Sequence, residues 1–521
     1  MQNKNEKNDS TTKSHFISRY ILSFLFFAFF LSCKQVKNKA AVKTAHLPNV
    51  IYILADDLGY GDLSCYNEDS KIVTPNIDRL AAGGMKFMDA HSGSSVCTPT
   101  RYGILTGRYA WRTYLEKGVT WSYDRHLIHP DRMTVADLFQ EQGYRTACIG
   151  KWHLGLDFGM DSKTGTVDFF KPINYGPLEY GFDYFFGIAA SLDIPPYLYI
   201  ENDRITATRI DTIPASSGKA FWREGPIGDD FEMEQVLPTF TQKAVKYIES
   251  AAEKETPFFL YFPLPAPHTP VIPTESFKNE SQLNEYGDFV LMVDDLVGQI
   301  TAALEASGQA ENTMIVFTSD NGFAPIAGWQ EVMDLGHYPS RELRGHKADI
   351  YEGGHRMPFI VQWKDRIIEG RQSDKTICLT DFMATCGSIL GVDLPDEVAE
   401  DSYDLSPLLF AENRDTFLRT NTVHHSVNGS FAIRAGKWKL NFCPGSGGWS
   451  KPRPAAAKKQ GLPSVQLYNL EKDIAEQNNI ADVQPEVVTR LTELMQTLID
   501  NGRSTQGAVQ ENDRMVEFLM Q

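Results

Sequence analysis

The sequence predicts an α/β protein with a large domain followed by a smaller α+β domain. A chain of 521 residues with 42% hydrophobic content exceeds what one hydrophobic core usually organises, so we expect two domains. From Pro48 onward, apolar β-rich runs alternate with helical patterns, which is typical of layered α/β folds. This pattern changes after about residue 395. We therefore predict domains over residues 47–395 and 396–521.

The N-terminal segment has the features of an export signal. Several cationic residues, the last of them Arg19, precede the apolar run "YILSFLFFAFFLSC", which is short for a membrane span. Its end, Phe30-Leu31-Ser32-Cys33, resembles the bacterial lipoprotein processing box. We predict a signal peptide over residues 1–33, lipidation of Cys33, and a polar tether over residues 34–46. The protein would then lie in the periplasm or at the cell surface; simple secretion is the alternative.

The elements of the first domain follow from local patterns. "NVIYILADD" is a buried strand, and "TPNIDRLAAGG" is a short helix that begins at Thr74-Pro75 and ends at glycine. "TVADLFQEQGYRTACIG" contains a helix with Thr134 as N-cap and Gly143 as stop, then a strand over residues 144–149. "PFFLYFPLPAPHTP" is a strand that leads into a proline-rich loop. "DLVGQITAALEASG" and "NTMIVFTSDNG" again give helix, glycine and strand.

The second domain combines a hairpin, a strand and a helix. "GSFAIRAGKWKLNF" is a hairpin with Gly436 near its turn, and "SVQLYNLEKD" is a further strand. "PEVVTRLTELMQTLID" is an amphipathic helix with Pro485 in its first turn. Between the strands, "CPGSGGWSKPRPAAAKKQGLP" is rich in glycine and proline. We expect a loop that packs near the larger domain or covers its pocket.

Charge and cysteine content exclude several classes of protein. The formal net charge of -17 leaves no basic surplus to neutralise a phosphate backbone, so we expect no nucleic-acid partner. The membrane would be contacted only through the lipid anchor. The seven cysteines show neither the paired spacing of a disulfide framework nor a CxxC metal pattern.

Four predicted strands run directly into polar side chains. Because ligands bind at the carboxyl ends of strands in open α/β sheets, these groups predict an active site at one sheet edge. They are Asp56 and Asp57, Lys151 and His153, His268, and Asp320 and Asn321.

The residue types at these strand ends suit metal-assisted transfer of an anionic group. Carboxylate and amide oxygens are hard ligands, which favour Ca²⁺ or Mg²⁺ over zinc. Fixed cations and proton donors would bind a group with several equatorial oxygens, which indicates phosphate or sulfate esters. These side chains are Arg101, Lys151, His153, His268 and Lys347.

Cys97 lies in "SSVCTPTRYGILTGRY", at the expected entrance to a helix. Its thiol could be an ordinary buried cysteine or a thiolate nucleophile with a lowered pKa. A thiolate nucleophile fits poorly beside a hard, oxygen-ligated metal. The residue types alone therefore leave the role of Cys97 open.

The stretch "CTPTRYGILTGRY" resembles the signature of the formylglycine-dependent (type I) sulfatases, and "EGGHRMPFIVQW" resembles the family's Gly-Gly-x-Arg-x-Pro-Phe stretch. The resemblance covers nearly the whole exported chain and extends to arylsulfatase-like carbohydrate sulfatases. It implies the alkaline phosphatase superfamily fold, a large mixed-sheet α/β domain and a small domain with an antiparallel sheet and a terminal helix. It also implies that a maturation enzyme oxidises Cys97 to formylglycine (3-oxoalanine).

By the same resemblance, the chain hydrolyses sulfate monoesters through the hydrated aldehyde of residue 97. One Ca²⁺ would be bound by Asp56, Asp57, Asp320 and Asn321, with residue 97 in contact with it. Arg101 would hold the diol, and Lys151 and Lys347 would bind sulfate oxygens. His153 would hydrogen-bond the diol, and His268 would donate a proton to the leaving oxygen.

Export favours a sulfated carbohydrate as substrate over an aryl ester or a steroid. Aromatic side chains that could stack on sugar rings are Trp111, Trp121, Tyr123, Trp329 and Trp449. Further candidates for substrate contact are Arg112, His126, His337 and His355. The alternatives are a phosphodiester or phosphonate monoester hydrolase with the same formylglycine site and, more remotely, a non-catalytic glycan-binding lipoprotein.

Overall fold

The computed structural model describes residues 47–410 and 416–519. The predicted signal peptide, Cys33 and the tether lie outside the described residues. Residues Leu47–Gln521 form one compact unit, and the domain boundary at residue 395 stays a prediction. Within the described part of the chain, no helix has both the length and the apolar character that a membrane span requires.

A large mixed sheet of eleven strands forms the centre of the molecule. Its strands are β1 (Asn49–Ala55), β2 (Met85–His91), β3 (Arg145–Lys151), β4 (Tyr184–Ile188), β5 (Ile200–Glu201), β6 (Arg204–Ile205), β9 (Phe258–Pro263), β10 (Thr313–Ser319), β11 (Arg356–Gln362), β12 (Arg371–Ser373) and β13 (Ile377–Cys378); β7 (Ile210–Ile213) and β8 (Gly225–Gly228) form a separate pair. The central strands β10, β1, β9, β3 and β4 are parallel neighbours, and β11 joins β10 in antiparallel orientation. In spatial order the main path is β12-β2-β11-β10-β1-β9-β3-β4-β5-β6, with β13 also paired to β2.

Helices cover both faces of this sheet. Alternate residues of β1 point to opposite faces, so Ile51 and Ile53 join one core cluster while Val50 and Tyr52 join the other. The helices on the first face are α1 (Pro75–Ala82), α4 (Val236–Ala252) and α5 (Glu285–Ala306), and those on the second are α2 (Cys97–Thr106), α3 (Val135–Glu141) and α8 (Phe382–Leu390). Shorter helices are α6 (Trp329–Asp334), α7 (Glu352–His355) and α9 (Ser406–Leu409).

A second, smaller antiparallel sheet follows toward the C-terminus. It consists of β14 (Asn421–His425), β15 (Phe431–Ala435), β16 (Trp438–Asn441) and β17 (Gln466–Asn469) in consecutive order. The terminal helix α11 (Pro485–Asp500) packs Leu491 and Met495 into the same core cluster as Ile433 and Leu440. The predicted fold class, a large mixed-sheet α/β part with a small antiparallel sheet and a terminal helix, is confirmed.

Three predicted elements differ in detail. The strand expected over residues 144–149 runs over Arg145–Lys151, because its pairing with β4 continues to the Lys151–Ile188 pair. Helix α5 begins before the predicted segment, since the Asn284 side chain accepts from the amides of Tyr286 and Gly287 and caps it. The segment expected to be a loop contains a short helix, α10 (Pro454–Lys459), which begins with proline at its first position.

Candidate active site

Three aspartates and an asparagine meet where two neighbouring strands end. Strands β1 and β10 are parallel, and their last residues, Ala55 and Ser319, are register partners. The next residues are therefore side by side: Asp56 and Asp57 beside Asp320 and Asn321, all buried. The Asp57 amide donates to Asp320 Oδ1 (3.2 Å), and Asn321 Nδ2 donates to Asp57 Oδ1 (2.6 Å). The structure thus brings the four predicted metal ligands together.

Cys97 is the first residue of α2 and faces this acidic group. Its Sγ lies 3.5 Å from Asp56 Oδ1 and 3.7 Å from Lys347 Nζ. Burial, together with the nearby charge of Asp320, raises the pKa of the Cys97 thiol well above its ordinary value. The unmodified thiol therefore stays protonated, which argues against a thiolate nucleophile.

Three cations neutralise the carboxylates. Lys151 Nζ lies 2.5 Å from Asp56 Oδ2, and Lys347 Nζ lies 2.6 Å from Asp57 Oδ1. The third cation, Arg101, donates through Nη2 to an Asp320 oxygen (2.8 Å) and through Nη1 to a backbone carbonyl. Because these groups are fully or almost fully buried, the ion pairs fix the ammonium and guanidinium groups in place.

Burial and neighbouring charges shift the pKa values of Asp56 and Asp320 in opposite directions. Burial alone would raise the pKa of Asp56, but Lys151, His268 and Arg101 hold it well below its ordinary value. Burial and, after it, the charge of Asp56 raise the pKa of Asp320 to about 6. Carboxylates crowded in this way are stabilised by a cation bound between them.

The donor set fits a hard cation. Asn321 Oδ1 is buried and accepts no hydrogen bond from the described residues, which leaves an amide oxygen available as a ligand on a residue whose Nδ2 contacts Asp57. Ligand atoms of Asp56, Asp57, Cys97 and His268 lie within 4.8 Å of one another. Asp320 is outside that set, but its carboxylate retains lone pairs beyond those bonded to Asp57 and Arg101. An oxygen-rich set of this kind suits Ca²⁺.

Two histidines differ in the nitrogen that they leave available. His153 Nε2 lies 3.0 Å from the Thr120 carbonyl oxygen, so Nε2 carries the proton, and the buried Nδ1 has no partner among the described residues. Burial, Lys151 and Arg101 hold the pKa of His153 well below its ordinary value, so the ring is neutral and its Nδ1 can accept a proton. His268 directs Nδ1 to the Thr269 carbonyl oxygen (2.5 Å), so its Nε2 is the nitrogen that faces the acidic group, 3.5 Å from Asp57 Oδ2.

The backbone is strained at three positions in or beside the site. Asp57, His153 and Ala348 have φ of 65°, 57° and 78°, in the left-handed region that non-glycine residues seldom occupy. Ala348 directly follows Lys347. Such strain is stored at functional sites because the surrounding structure holds the residues in place.

A cleft of about 460 Å³ opens onto the cluster of carboxylates, cations and histidines described above. Its floor includes Asp57, His268 and Lys347, and Trp449 and Arg453 form part of its wall. The C-terminal glycine- and proline-rich segment therefore lines the pocket, in agreement with the prediction. A larger cavity of about 1030 Å³, lined by Lys219 and other residues, contains none of the cluster's side chains.

Other cleft residues were not predicted from the sequence. Phe221, Asp193 and Arg223 line the cleft, and Arg223 Nη1 pairs with Asp193 Oδ2 at 2.6 Å. His346 lines it too and lies next to Lys347. Asp193, Phe221 and Arg223 lie in irregular connections without a motif, whereas adjacency to Lys347 could have indicated His346.

The additional residues that were predicted to contact the substrate differ in whether they lie at the cleft. Trp449 lines the cleft, and Trp121 is exposed with the Arg223 guanidinium 5.0 Å from its ring centre. Trp329 packs on Phe323 and on His346, and His346 lines the cleft. The others have partners outside the cleft lining: Trp111 and Arg112 are buried, Tyr123 packs on Phe158, His126 pairs with Asp157, and His337 and His355 are buried with Asp62 and His91 as respective partners.

Comparison with known proteins identifies relatives over most of the chain. A family model described as Sulfatase matches residues 48–392. The N-acetylgalactosamine-6-O-sulfatase of Bacteroides thetaiotaomicron is 33% identical over 512 residues, covering 90% of this chain and 97% of the relative. Human arylsulfatase A is 32% identical over 479 residues, covering 87% of this chain and 88% of the relative.

Solved structures agree with these sequence relatives. One, described under the metabolism of multiple glycosaminoglycans by Bacteroides thetaiotaomicron, has a TM-score of 0.77 at 33% identity and covers 87% of this chain and 99% of that chain. A sulfatase from Pseudoalteromonas sp. has a TM-score of 0.67 at 25% identity and covers 87% of this chain and 90% of that chain.

Proposed function

The chain belongs to the sulfatase family and is a sulfuric ester hydrolase, and we propose that it removes sulfate from a sulfated carbohydrate through a formylglycine derived from Cys97. The observation that carries this proposal is the arrangement around residue 97. Its side chain lies between Asp56 and Lys347, and Lys347 lines the cleft. A protonated, buried thiol has little reactivity there, whereas an aldehyde hydrate supplies hydroxyl groups.

We propose that Ca²⁺ binds to Asp56, Asp57, Asp320, Asn321 and residue 97. The unpaired Asn321 Oδ1 and the crowded carboxylates support this assignment. Ca²⁺ would supply positive charge beside the sulfate and the hydroxyl of residue 97.

The remaining roles follow from where each side chain is held. Lys151 and Lys347 would bind sulfate oxygens and stabilise the charge that develops on them. Arg101, fixed by Asp320, would orient the residue 97 hydroxyls. The hydrate of formylglycine supplies one hydroxyl for attack on sulfur and a second through which sulfate can be expelled.

The two histidines would transfer protons in opposite directions. Neutral His153 would accept a hydroxyl proton at its unpaired Nδ1. His268, which lines the cleft, would donate a proton from Nε2 to the oxygen of the departing alcohol, and this requires the doubly protonated ring because Nδ1 already donates to the Thr269 carbonyl oxygen. The separation of acceptor and donor on different loops would let each act on its own step.

We propose a 6-O-sulfated N-acetylhexosamine as the sugar. The N-acetylgalactosamine-6-O-sulfatase of Bacteroides thetaiotaomicron supports this, as does the size of the cleft. The exposed Trp449 ring could stack on the sugar. The further proposals are export, lipidation at Cys33 and a formylglycine-generating enzyme as a maturation partner.

The test is sulfate release by protein that has been co-expressed with a maturation enzyme and supplied with Ca²⁺. The substrates are N-acetylgalactosamine 6-sulfate, other sulfated sugars, an aryl sulfate and a phosphodiester. We expect release from the sulfated amino sugar, and a loss on the order of 10⁴-fold or more in Cys97→Ala. Cys386→Ala, which removes a buried cysteine from α8, is the control that should retain activity. Faster turnover of the phosphodiester than of every sulfate would overturn the proposed substrate.

A further inference from the structure

The cleft wall formed by residues 443–453, here called the wall loop, is fixed to the segment that carries Lys347. Asp349, fully buried, accepts through Oδ1 from the amides of Trp449 (2.8 Å) and Ser450 (2.9 Å). The Ile350 amide donates to the Ser446 carbonyl oxygen at 2.8 Å. The loop therefore holds a defined position beside the sulfate-binding lysine.

Close backbone approach strengthens this attachment. A Cβ at Gly448 would lie 2.2 Å from the Ala348 carbonyl oxygen, so only glycine permits the contact. Asp349 Oδ2 also accepts from the His346 amide (3.1 Å) and from the Ser450 hydroxyl. The Asp349 carboxylate thus binds backbone amides both in its own segment and in the wall loop.

Arg453 ends the wall loop with a guanidinium that lacks an acidic partner. It lines the same cleft as Lys347 and His268, and its Nε donates to the Trp449 carbonyl oxygen at 3.1 Å. Among the described residues, no carboxylate lies within ion-pair distance of it. Arg223, the other arginine in the cleft lining, is already neutralised by Asp193 at 2.6 Å.

Lys347 and Arg453 differ in how deeply they are buried in the cleft. Lys347 is only 6% exposed and lies against the acidic cluster, whereas Arg453 is exposed at the wall. This difference in exposure suits two anions, a sulfate at Lys347 and a second anion at Arg453. A planar guanidinium with free N–H groups matches carboxylate and sulfate oxygens in a two-pronged geometry.

We propose that Arg453 binds a second anionic group of the substrate, carried by the saccharide next to the one that loses its sulfate. This inference rests on the proposed function and adds that the preferred substrate carries two anionic groups. The shared chemistry is that of a carboxylate or a second sulfate ester. The wall loop would present Arg453 to this group while Trp449 contacts the sugar between the two anions.

The test compares substrates with one and two anionic groups. They are N-acetylgalactosamine 6-sulfate, the same unit linked to a uronic acid, and the same unit linked to a sulfated neutral sugar. We expect Arg453→Gln to lower kcat/KM on the order of tenfold for one or both disaccharides, and to leave the monosaccharide within about twofold. The disaccharide that loses activity identifies the anion.

Two further variants complete the comparison. Arg453→Lys keeps the charge without the two-pronged geometry and should recover part of the loss. Arg490→Gln, which changes an exposed arginine on α11, is the matched control and should change nothing. Equal effects of Arg453→Gln on all three substrates, or no effect, would overturn the inference. If the unaltered enzyme releases no sulfate from any of them, the proposed function itself fails.

Discussion

The molecule contains two buried polar clusters, which differ in their access from the cleft and in the acceptor atoms that lack a partner among the described residues. The first is the catalytic cluster, which opens to the cleft and consists of Asp56, Asp57, Cys97, Arg101, Lys151, His153, Asp320, Asn321 and Lys347. The second is the histidine cluster, which consists of His91, His355, His424, Glu352 and Lys439. Both combine several ionisable groups at almost no exposure, and only the first has the features of an active site.

Hydrogen bonds and ion pairs within the histidine cluster engage its members, and Glu352 Oε1, which forms no hydrogen bond with the described residues, is held in an ion pair by Lys439. His91 Nδ1 lies 3.1 Å from His355 Nδ1, and Lys439 Nζ lies 3.0 Å from His355 Nε2 and 3.0 Å from Glu352. The rings of His355 and His424 stack at 3.8 Å with an angle of 9°. Because imidazole lone pairs lie in the ring plane, two parallel rings cannot direct them at one metal ion. Proximity of three histidines therefore does not make a metal site here.

The catalytic cluster instead leaves acceptors without partners. Asn321 Oδ1 and His153 Nδ1 are buried and have no hydrogen-bond partner in the described part of the chain, and the cleft reaches Asp57 and Lys347. Unpaired buried groups cost stability, and they persist where a ligand completes them. The contrast shows that access from the cleft, together with acceptors that have neither a hydrogen bond nor an ion pair among the described residues, distinguishes the site, whereas charge density does not.

Replacing one lysine in each cluster should give opposite results. Lys347→Met should lower kcat/KM for sulfate release by about 10²- to 10³-fold, because it removes a sulfate donor. Lys439→Met should instead destabilise the fold by about 3–5 kcal/mol, because it leaves Glu352 and Glu476 buried without their shared cation. The measurements are initial rates of sulfate release and the free energy of unfolding in urea.

The comparison requires both measurements on both variants. Folded Lys439→Met should keep its kcat, and Lys347→Met should keep most of its stability once Ca²⁺ is bound. A Lys439→Met protein that is stable but inactive would place the histidine cluster in the reaction and contradict the distinction.

Acidification should weaken the fold through the histidine cluster. Burial is the main cause that lowers the pKa of His91, and it lowers those of His355 and His424 further with neighbouring cations and histidines. The unfolded chain, with histidine pKa values of about 6.5, binds more protons below that pH than the native cluster does. The free energy of unfolding should therefore fall below about pH 6.5, by up to about 1.4 kcal/mol per pH unit for each histidine.

His424→Gln isolates this effect because glutamine does not titrate. Urea unfolding of both proteins between pH 7.5 and pH 5.5 should show a shallower decline for the variant. The difference between the two proteins also removes the contribution of carboxyl groups such as Asp320, whose raised pKa acts in the opposite direction. Identical slopes would contradict neutral histidines in the native cluster.

The sequence predicted the parts of the site that follow strand ends or belong to a motif. Asp56 and Asp320 follow apolar runs whose parallel pairing is a regular consequence of α/β architecture, so their convergence could be expected. Cys97 and Lys347 were candidates from their residue types, and the resemblance to sulfatases gave them their expected roles. The layered arrangement of helices and sheet was predicted from the alternation of apolar strand and helix patterns along the chain.

The remaining features depend on tertiary contacts that no local pattern encodes. Arg223 reaches the cleft from an irregular connection, and Arg453 reaches it because Asp349 holds the wall loop. The partners of His355 come from segments far along the chain, so the sequence could suggest it as a substrate contact but could not indicate its burial beside His91 and His424. Such residues acquire their surroundings only when the sheets pack.

The central claim is that residue 97 acts as formylglycine, and the mass of its peptide tests this most directly. The active enzyme, prepared with a maturation enzyme, should yield a peptide about 18 Da lighter than the cysteine form, and the modified fraction should track the rate of sulfate release. Fully active enzyme in which Cys97 is an unmodified thiol would contradict the account.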